Sequence, residues 1–424
     1  MKKYFSLGIL ILYGIVLGGI VGAVSWLFLY VVSSGIHFMW NELPGKFNLP
    51  YWTILVCSIG GILVGLCQKY LGEYPKLMPK VMAEFKETKR VDYKNVPKAC
   101  VSALITLFFG ASLGPEAALV NIIGGLSTLV GDFLKWIVKD KELEKYDSLV
   151  TEFSMEATIG LIFHAPLIGL TPLIEDDDSS VRKNIKTIVY SMTTAAGFGV
   201  LILLSQIDNR PSFIVHFGSF NLGMSEIISI IPLIICGILM ALLYGGYGKI
   251  LHKIFLPLKN YKIIRALIGG IILGIVGTWL PYTLFSGEHE VKVLVKEWSS
   301  LSIGILILIS LVKLFLTEVC LSTGWRGGHI FPVVFSGVSM GYALSAIFSI
   351  DPVVTVTIVT TAFTSSVLRN AVVTLLLLVL FFPSSLIWIM LIAAFLSAYV
   401  LKRWDSRGNK EESVKKLSKF YNKY

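Results

Sequence analysis

Apolar residues run along this chain in stretches too long and too frequent for the core of a soluble domain. They fall roughly at 7–33, 51–70, 97–111, 117–137, 155–174, 187–206, 226–247, 264–285, 301–322, 330–349, 352–367 and 371–401. A straight helical crossing of a bilayer takes about 20 residues. Several stretches are shorter than that and the last is longer, which predicts broken, tilted or re-entrant helices. With 55% hydrophobic and 15% charged residues, the chain reads as an all-α polytopic membrane protein. One membrane domain covers residues 1–402, and a short basic tail covers 403–424.

The opening MKKYFSLGILILYGIVLGG reads as a first membrane helix, because the apolar run continues to Tyr30 without a small-residue cleavage site. The tail carries Lys402, Arg403, Arg407, Lys410, Lys415, Lys416, Lys419 and Lys423. The positive-inside rule places it in the cytoplasm of a multi-pass cell-membrane protein. Together with the basic loops at Lys135–Lys145 and Arg182–Lys186, it accounts for much of the net charge of +10. That charge therefore indicates anchoring at the membrane lipid surface and not nucleic-acid binding. The five cysteines are scattered through apolar runs and propose neither a disulfide framework nor a metal site. No cofactor is expected. Glu288-His289-Glu290 is a compact acidic loop that reads as a solvated connection more readily than as a cation site.

Two Gly-rich breaks, 110–114 and 324–328, lie between apolar runs, one in each half of the chain. Interrupted segments at corresponding positions point to inverted halves, roughly 1–206 and 225–402, with a site near the membrane midplane. Irregular backbone at membrane depth is tolerated only where it faces protein or a watery cavity. A helix that starts at such a break carries orphan N–H groups and a partial positive charge, so it attracts anions without a lysine. In 110-GASLGPEAAL-119 the proline suits a first helical turn, and Gly327-Gly328 lets backbone approach a ligand closely. Glu116, in the first turn of its helix, is itself an anion at that end and can stand where a permeating anion would pass, which makes it a gate. The run 163-FHAPLIGLTPLIEDDD-178 ends in four carboxylates and alone reads as a solvated helix end.

These residues resemble the CLC family of chloride channels and chloride/proton antiporters. The stretch 114-GPEAA-118 is similar to the family's G-(K/R)-E-G-P motif, with Glu116 at the gating glutamate. The stretch 163-FHAPLIGLTPLIED-176 is similar to F-N-A-P-L-A-G-…-E-E, which puts Asp176 at the inner proton-transfer glutamate with Glu175 before it. The stretch 322-STGWRGGHIFP-332 resembles S-S-G-x-x-G-G-x-F-x-P, and 368-LRNAVVTLLLLVL-380 resembles the helix that begins R-A-P-L-T. The resemblance implies an inverted-repeat helical fold and a homodimer with one pore per subunit. It implies binding of chloride or another small anion by backbone around Gly114, Pro115, Ala117, Gly327, Gly328, His329 and Ile330. Protons moving through Asp176 and Glu116 are implied only if the chain is an antiporter, and channel and antiporter stand level. Two departures are visible. The family's G-S-G-I-P motif falls near 75-PKLMP-79, where Lys76 replaces the anion-binding serine and only Pro79 agrees. No tyrosine after the last membrane helix is offered for the inner side of the anion site.

Two rival readings belong to other classes. The stretch 110-GASLG-114 fits a G-x-S-x-G nucleophile elbow, with Ser112 as nucleophile and His164 as base, but that elbow needs a strand before it. A cation or proton-coupled carrier of another kind would need carboxylates inside several helices, and only Glu116, Glu156 and Glu318 are interior.

Overall fold

The computed structural model describes residues 2–47, 49–88, 90–137, 180–207, 215 and 217–421, and the statements below concern these. The first half contains α1 (Lys2–His37), α2 (Leu43–Phe47), α3 (Trp52–Tyr70), α4 (Met78–Thr88), α5 (Val96–Phe108), α6 (Glu116–Ile137) and α7 (Ser180–Ile207). The second contains α8 (Met224–Phe255), α9 (Lys262–Trp279), α10 (Glu288–Glu297), α11 (Ile303–Thr323), α12 (Ile330–Phe348), α13 (Pro352–Leu368), α14 (Ala371–Leu378) and α15 (Ile387–Tyr421). Eight of the described helices are long and apolar enough to cross a membrane. The described residues include no β-strand, and their one isolated bridge joins Gly114 to Gly328.

The order of long and short helices repeats. Starts at Trp52, Met78, Val96 and Glu116 are matched by starts at Lys262, Glu288, Ile303 and Ile330, a nearly constant offset. The two copies meet where α3 packs along α9. The seam is lined by glycines: a Cβ on Gly61 would stand 2.7 Å from the Ala266 carbonyl oxygen, and one on Gly274 would stand 2.7 Å from Ile54 Cα. In hydrocarbon, helices gain little from hiding apolar surface and associate by close backbone packing, which small residues allow. The same device joins α1 to α7, where Gly18 and Gly22 lie against the backbone of Thr193 and Gly197.

Short polar residues set the helix ends. Asp351 accepts from the N–H groups of Val353 and Val354 to start α13 beside Pro352, Asn370 accepts from Val373 N–H to start α14, and Gly324 closes α11 at φ 99°. The long last apolar run is cut at Pro383, which separates α14 from α15. The basic stretch expected as a tail is helical and continues α15 to Tyr421.

α1 delivers the chain to one face of the layer at His37, and α3, a full crossing, returns it to the other face at Tyr70. Lys262 at the start of α9 donates to the Gln68 carbonyl oxygen, and Arg326 pairs with Glu73 at 2.7 Å, so both stand on the Tyr70 face. The turn between α9 and α10 stands on the His37 face and shares a cavity with His37.

Candidate functional site

The two breaks meet at the centre of the fold. Gly114 N–H donates to the Gly328 carbonyl oxygen and Gly328 N–H donates to that of Gly114, both at 2.8 Å. This reciprocal pair fixes the starts of α6 and α12 side by side. Glu116, 1% exposed, sits in the first turn of α6, and its Oε1 accepts the Phe331 N–H of α12 at 3.0 Å. Its Oε2 accepts no hydrogen bond. The carboxylate therefore stands at the N-terminal end of a second helix, where orphan amides and the helix dipole favour negative charge.

The glycines are small because the carboxylate fills the space a side chain would need. A Cβ on Gly114 would overlap the Glu116 carboxyl group, with Cδ at 2.6 Å and Oε1 at 2.7 Å. A Cβ on Gly328 would overlap the carboxyl group too, and would also stand 2.9 Å from Glu116 Cβ. Gly327 lies against Leu113, whose Cβ would be 2.7 Å from an added side chain.

The expected anion-binding residues are gathered here. The amides of Gly114 and Gly328 bond each other, Pro115 accepts from Leu119 N–H, and the Ala117 carbonyl accepts from Asn121 Nδ2 at 2.7 Å. His329 and Ile330 start α12, with the His329 ring 6.2 Å from that of Tyr244. The amide that meets the carboxylate belongs to Phe331, the residue after Ile330. The Tyr244 phenol lies near the Glu318 carboxyl group. Asp176, Glu175, Glu156 and His164 lie outside the described residues. Ser112 is fully buried with its Oγ 3.3 Å from Thr317 Oγ1, and helix α5 precedes it, so the strand a nucleophile elbow requires is absent at this position.

On the Tyr70 face, the Lys76 backbone is held by Asn121 of α6, which accepts from Lys76 N–H at 3.2 Å and donates to its carbonyl at 2.7 Å. The Lys76 ammonium pairs with Glu84 at 2.6 Å, which holds it above the ordinary lysine range. Lys76 therefore lines a small cavity beside α6 with its charge matched by a carboxylate.

On the His37 face, a cavity of about 380 Å³ is walled by α1, by Ala111, Leu113 and Pro115 of the first break, and by Phe285 to Glu290. Lys313, fully buried within α11, donates to the carbonyl oxygens of Thr283 at 3.2 Å and of Leu284 and Phe285 at 2.7 Å each. Phe285 and Gly287 adopt φ 57° and 94°, so this loop is sharply bent and the ammonium ties down its bend. Sequence reasoning did not single out Lys313. The available signal was a lone lysine in the middle of an apolar run, where an unpaired charge is costly. The reading of 288–290 as a solvated connection fits exposed His289 but not Glu288 or Glu290, which are partly buried. No metal-ligating cluster occurs among the described residues.

Comparison with known proteins gives one family. The model of the family "Voltage gated chloride channel" matches residues 60–403, well over half of the chain. YfeO of Escherichia coli (strain 55989 / EAEC), a protein provisionally assigned to ion transport, is 28% identical over 347 residues, covering 76% of this chain and 77% of the relative. YfeO of Escherichia fergusonii is 27% identical over 325 residues, covering 72% of each. Among solved structures, a slow cyanobacterial Cl⁻/H⁺ antiporter has a TM-score of 0.75 at 18% identity, over 92% of this chain and 93% of that one. A CLC-type fluoride/proton antiporter has a TM-score of 0.71 at 20% identity, over 94% and 97%. The paired breaks, the carboxylate between them and the matched stretch of chain agree: the protein belongs to the voltage-gated chloride channel (CLC) family.

Proposed function

We propose that the protein carries chloride or another small anion across the cell membrane in exchange for protons, with Glu116 as the gate. One observation carries this reading: the Glu116 carboxylate accepts the Phe331 N–H at the start of α12. A bare anion is too costly to desolvate against one weak partner, so a transit site needs converging partial charges. The α6 and α12 starts supply them, and Glu116 holds the position until an anion or a proton replaces it. Protonation removes the charge that binds the carboxylate to the helix end, so the side chain leaves and the anion enters.

Backbone around Gly114, Pro115, Ala117, Gly327, Gly328, His329 and Ile330 surrounds the anion in this reading, with the Phe331 amide added. Asp176, with Glu175 beside it, exchanges protons with the opposite solution. Two inverted halves, 1–206 and 225–402, build the pathway, and two copies of the chain form a dimer with one pathway each. The basic end of α15 faces the cytoplasm by the positive-inside rule. Support for an antiporter over a channel comes from similarity to structures named Cl⁻/H⁺ and fluoride/proton antiporters. The two antiporters differ in anion, so the test measures both.

The test is reconstitution in liposomes with simultaneous recording of halide efflux and internal pH. Chloride or fluoride efflux that drives protons uphill is the expected result. Efflux without proton movement makes the protein a channel, and no efflux of either halide removes the anion reading.

A further inference from the structure

We propose that Glu288 is a second carboxylate of the gate, passing to Glu116 the proton that releases it from the start of α12. The proposal rests on the reading of Glu116 as a gate and adds a residue to it.

Glu288 borders two cavities, each of which reaches a residue adjoining the gate. It is the first residue of α10, directly after the loop that Lys313 ties down, so its position is built and not left to a mobile connection. It lines the 380 Å³ cavity together with His37 and Pro115, the residue before Glu116. It also lines a second, narrower cleft together with Phe331, the residue whose amide binds Glu116. The one side chain thus connects a cavity that touches Pro115 with a cleft that touches Phe331, the two residues that flank the Glu116 carboxylate in sequence and in hydrogen bonding. On the gate side, Glu116 is 1% exposed and its Oε2 lacks any hydrogen-bond partner, which leaves an acceptor for a proton.

The surrounding charges suit a proton donor. Burial pushes the Glu288 carboxyl up to about 8, and repulsion from Glu116 and Glu290 adds to burial while Lys292 opposes it. The cavity wall also carries His37 and His289, and α12 presents only the apolar Phe331, Val334 and Val338 to the cleft. Near neutral pH Glu288 therefore holds a proton that an ordinary carboxyl would have lost. The step balances simply. The Glu288 O–H bond breaks and an O–H bond forms on Glu116 Oε2, leaving Glu288 anionic until the cavity solvent returns a proton.

The test uses the full-length protein in phosphatidylethanolamine and phosphatidylglycerol vesicles, with chloride flux and proton flux recorded while external pH is stepped from about 5 to about 9, a span that brackets a carboxyl held near 8. Glu288→Gln is expected to lower proton flux about tenfold, the lower range for loss of a positioned proton donor. It should also move the midpoint of chloride flux toward lower pH by about one unit, a tenfold change in proton activity. Glu288→Asp should recover most of both. In a Glu116→Gln background, adding Glu288→Gln should change nothing. A Glu288→Gln profile that superimposes on the wild type, or an effect that survives in the Glu116→Gln background, overturns the proposal. If neither Glu288 variant folds, Lys292→Met must raise the midpoint, and no shift overturns the proposal equally. Failure of the underlying reading looks different: wild-type vesicles pass neither chloride nor fluoride, or Glu116→Gln leaves the pH profile intact, and then both ideas fall.

Discussion

The breaks before α6 and before α12 have the same backbone plan and opposite chemistry. Each interrupts an apolar run, each contributes one glycine to the reciprocal Gly114–Gly328 pair, and each opens a membrane helix. The first break supplies a carboxylate and the second supplies the amide that receives it. Two helix starts thus lie side by side, and an acidic residue on the first accepts the amide of the second. The asymmetry also sets spatial limits. The three atoms nearest a Cβ on Gly114 all belong to the Glu116 carboxyl group, whereas those nearest one on Gly328 include the Cβ of Glu116.

The sharpest test of that contrast removes the carboxylate. Under the proposed exchange, Glu116→Gln is expected to flatten the dependence of anion flux on external pH, from tenfold or more in the wild type to less than about twofold, because the group proposed to take up a proton is gone. A retained steep profile in a folded protein would make Glu116 structural.

The next test asks whether the glycines serve the carboxylate. Gly114→Ala should displace it and cost about 1–3 kcal/mol, the usual range for overpacking. Combined with Glu116→Ala, the same change should lose most of that cost in thermal stability, since the three atoms nearest the added Cβ all belong to the Glu116 carboxyl group. Gly328→Ala should stay destabilising in the Glu116→Ala background, because a Cβ there remains 2.9 Å from that of residue 116. Equal rescue at both glycines would show that the two breaks are equivalent and that the contrast is wrong.

A third change acts at a distance from both breaks. Lys313→Met keeps the stem volume and removes the three hydrogen bonds to the loop carbonyls at 283–285. Leaving those acceptors unpaired should cost about 2–3 kcal/mol. The loss should register as a lower melting temperature and as a wider opening to the cavity that holds Glu288. An unchanged melting temperature would show that the loop holds itself.

Much of this site was visible in the residues alone. Gly-Pro-Glu between apolar runs identified a helix start at membrane depth, and the second Gly-rich break identified its counterpart. Pairing of the two could not be read, because a reciprocal bridge between Gly114 and Gly328 depends on how α3 and α9 seat the copies, and those seams are made of glycines with no side-chain pattern. That the Phe331 amide receives the Glu116 carboxylate was equally hidden, because it depends on the same seating of α6 beside α12. Glu288 looked solvated because a polar triplet in a connection usually is, and only the bend held by Lys313 turns it inward. The surroundings of Lys76, which stands where the family has a serine, could not be read either, and its ammonium pairs with Glu84, eight residues on.

The pH dependence of stability probes the same outer loop. The Glu288 carboxyl is raised in the folded state to about 8, so the native protein binds a proton that the unfolded chain, with an ordinary carboxyl, releases at lower pH. Stability from this group is therefore present below the unfolded value and is lost as pH rises through the folded one. Melting temperature should fall between about pH 5 and pH 8 in the wild type, and fall less in Glu288→Gln. A fall of equal size in the variant would assign the dependence to other groups.

The smallest effect is expected on the Tyr70 face of the second break. Arg326, two residues before Gly328, pairs with Glu73 at 2.7 Å, and the Glu73 side chain is 50% exposed. A pair so open to solvent contributes less than about 1 kcal/mol. The break does not depend on it, since Gln68 holds the Gly324 carbonyl and Trp325 Nε1 donates to the Ala266 carbonyl at 3.0 Å. Arg326→Ala should thus leave the melting temperature nearly unchanged, and leave the pH profile of anion flux at its wild-type midpoint. A shift of that midpoint would mean that the second break is positioned from its exposed end and not from its buried one.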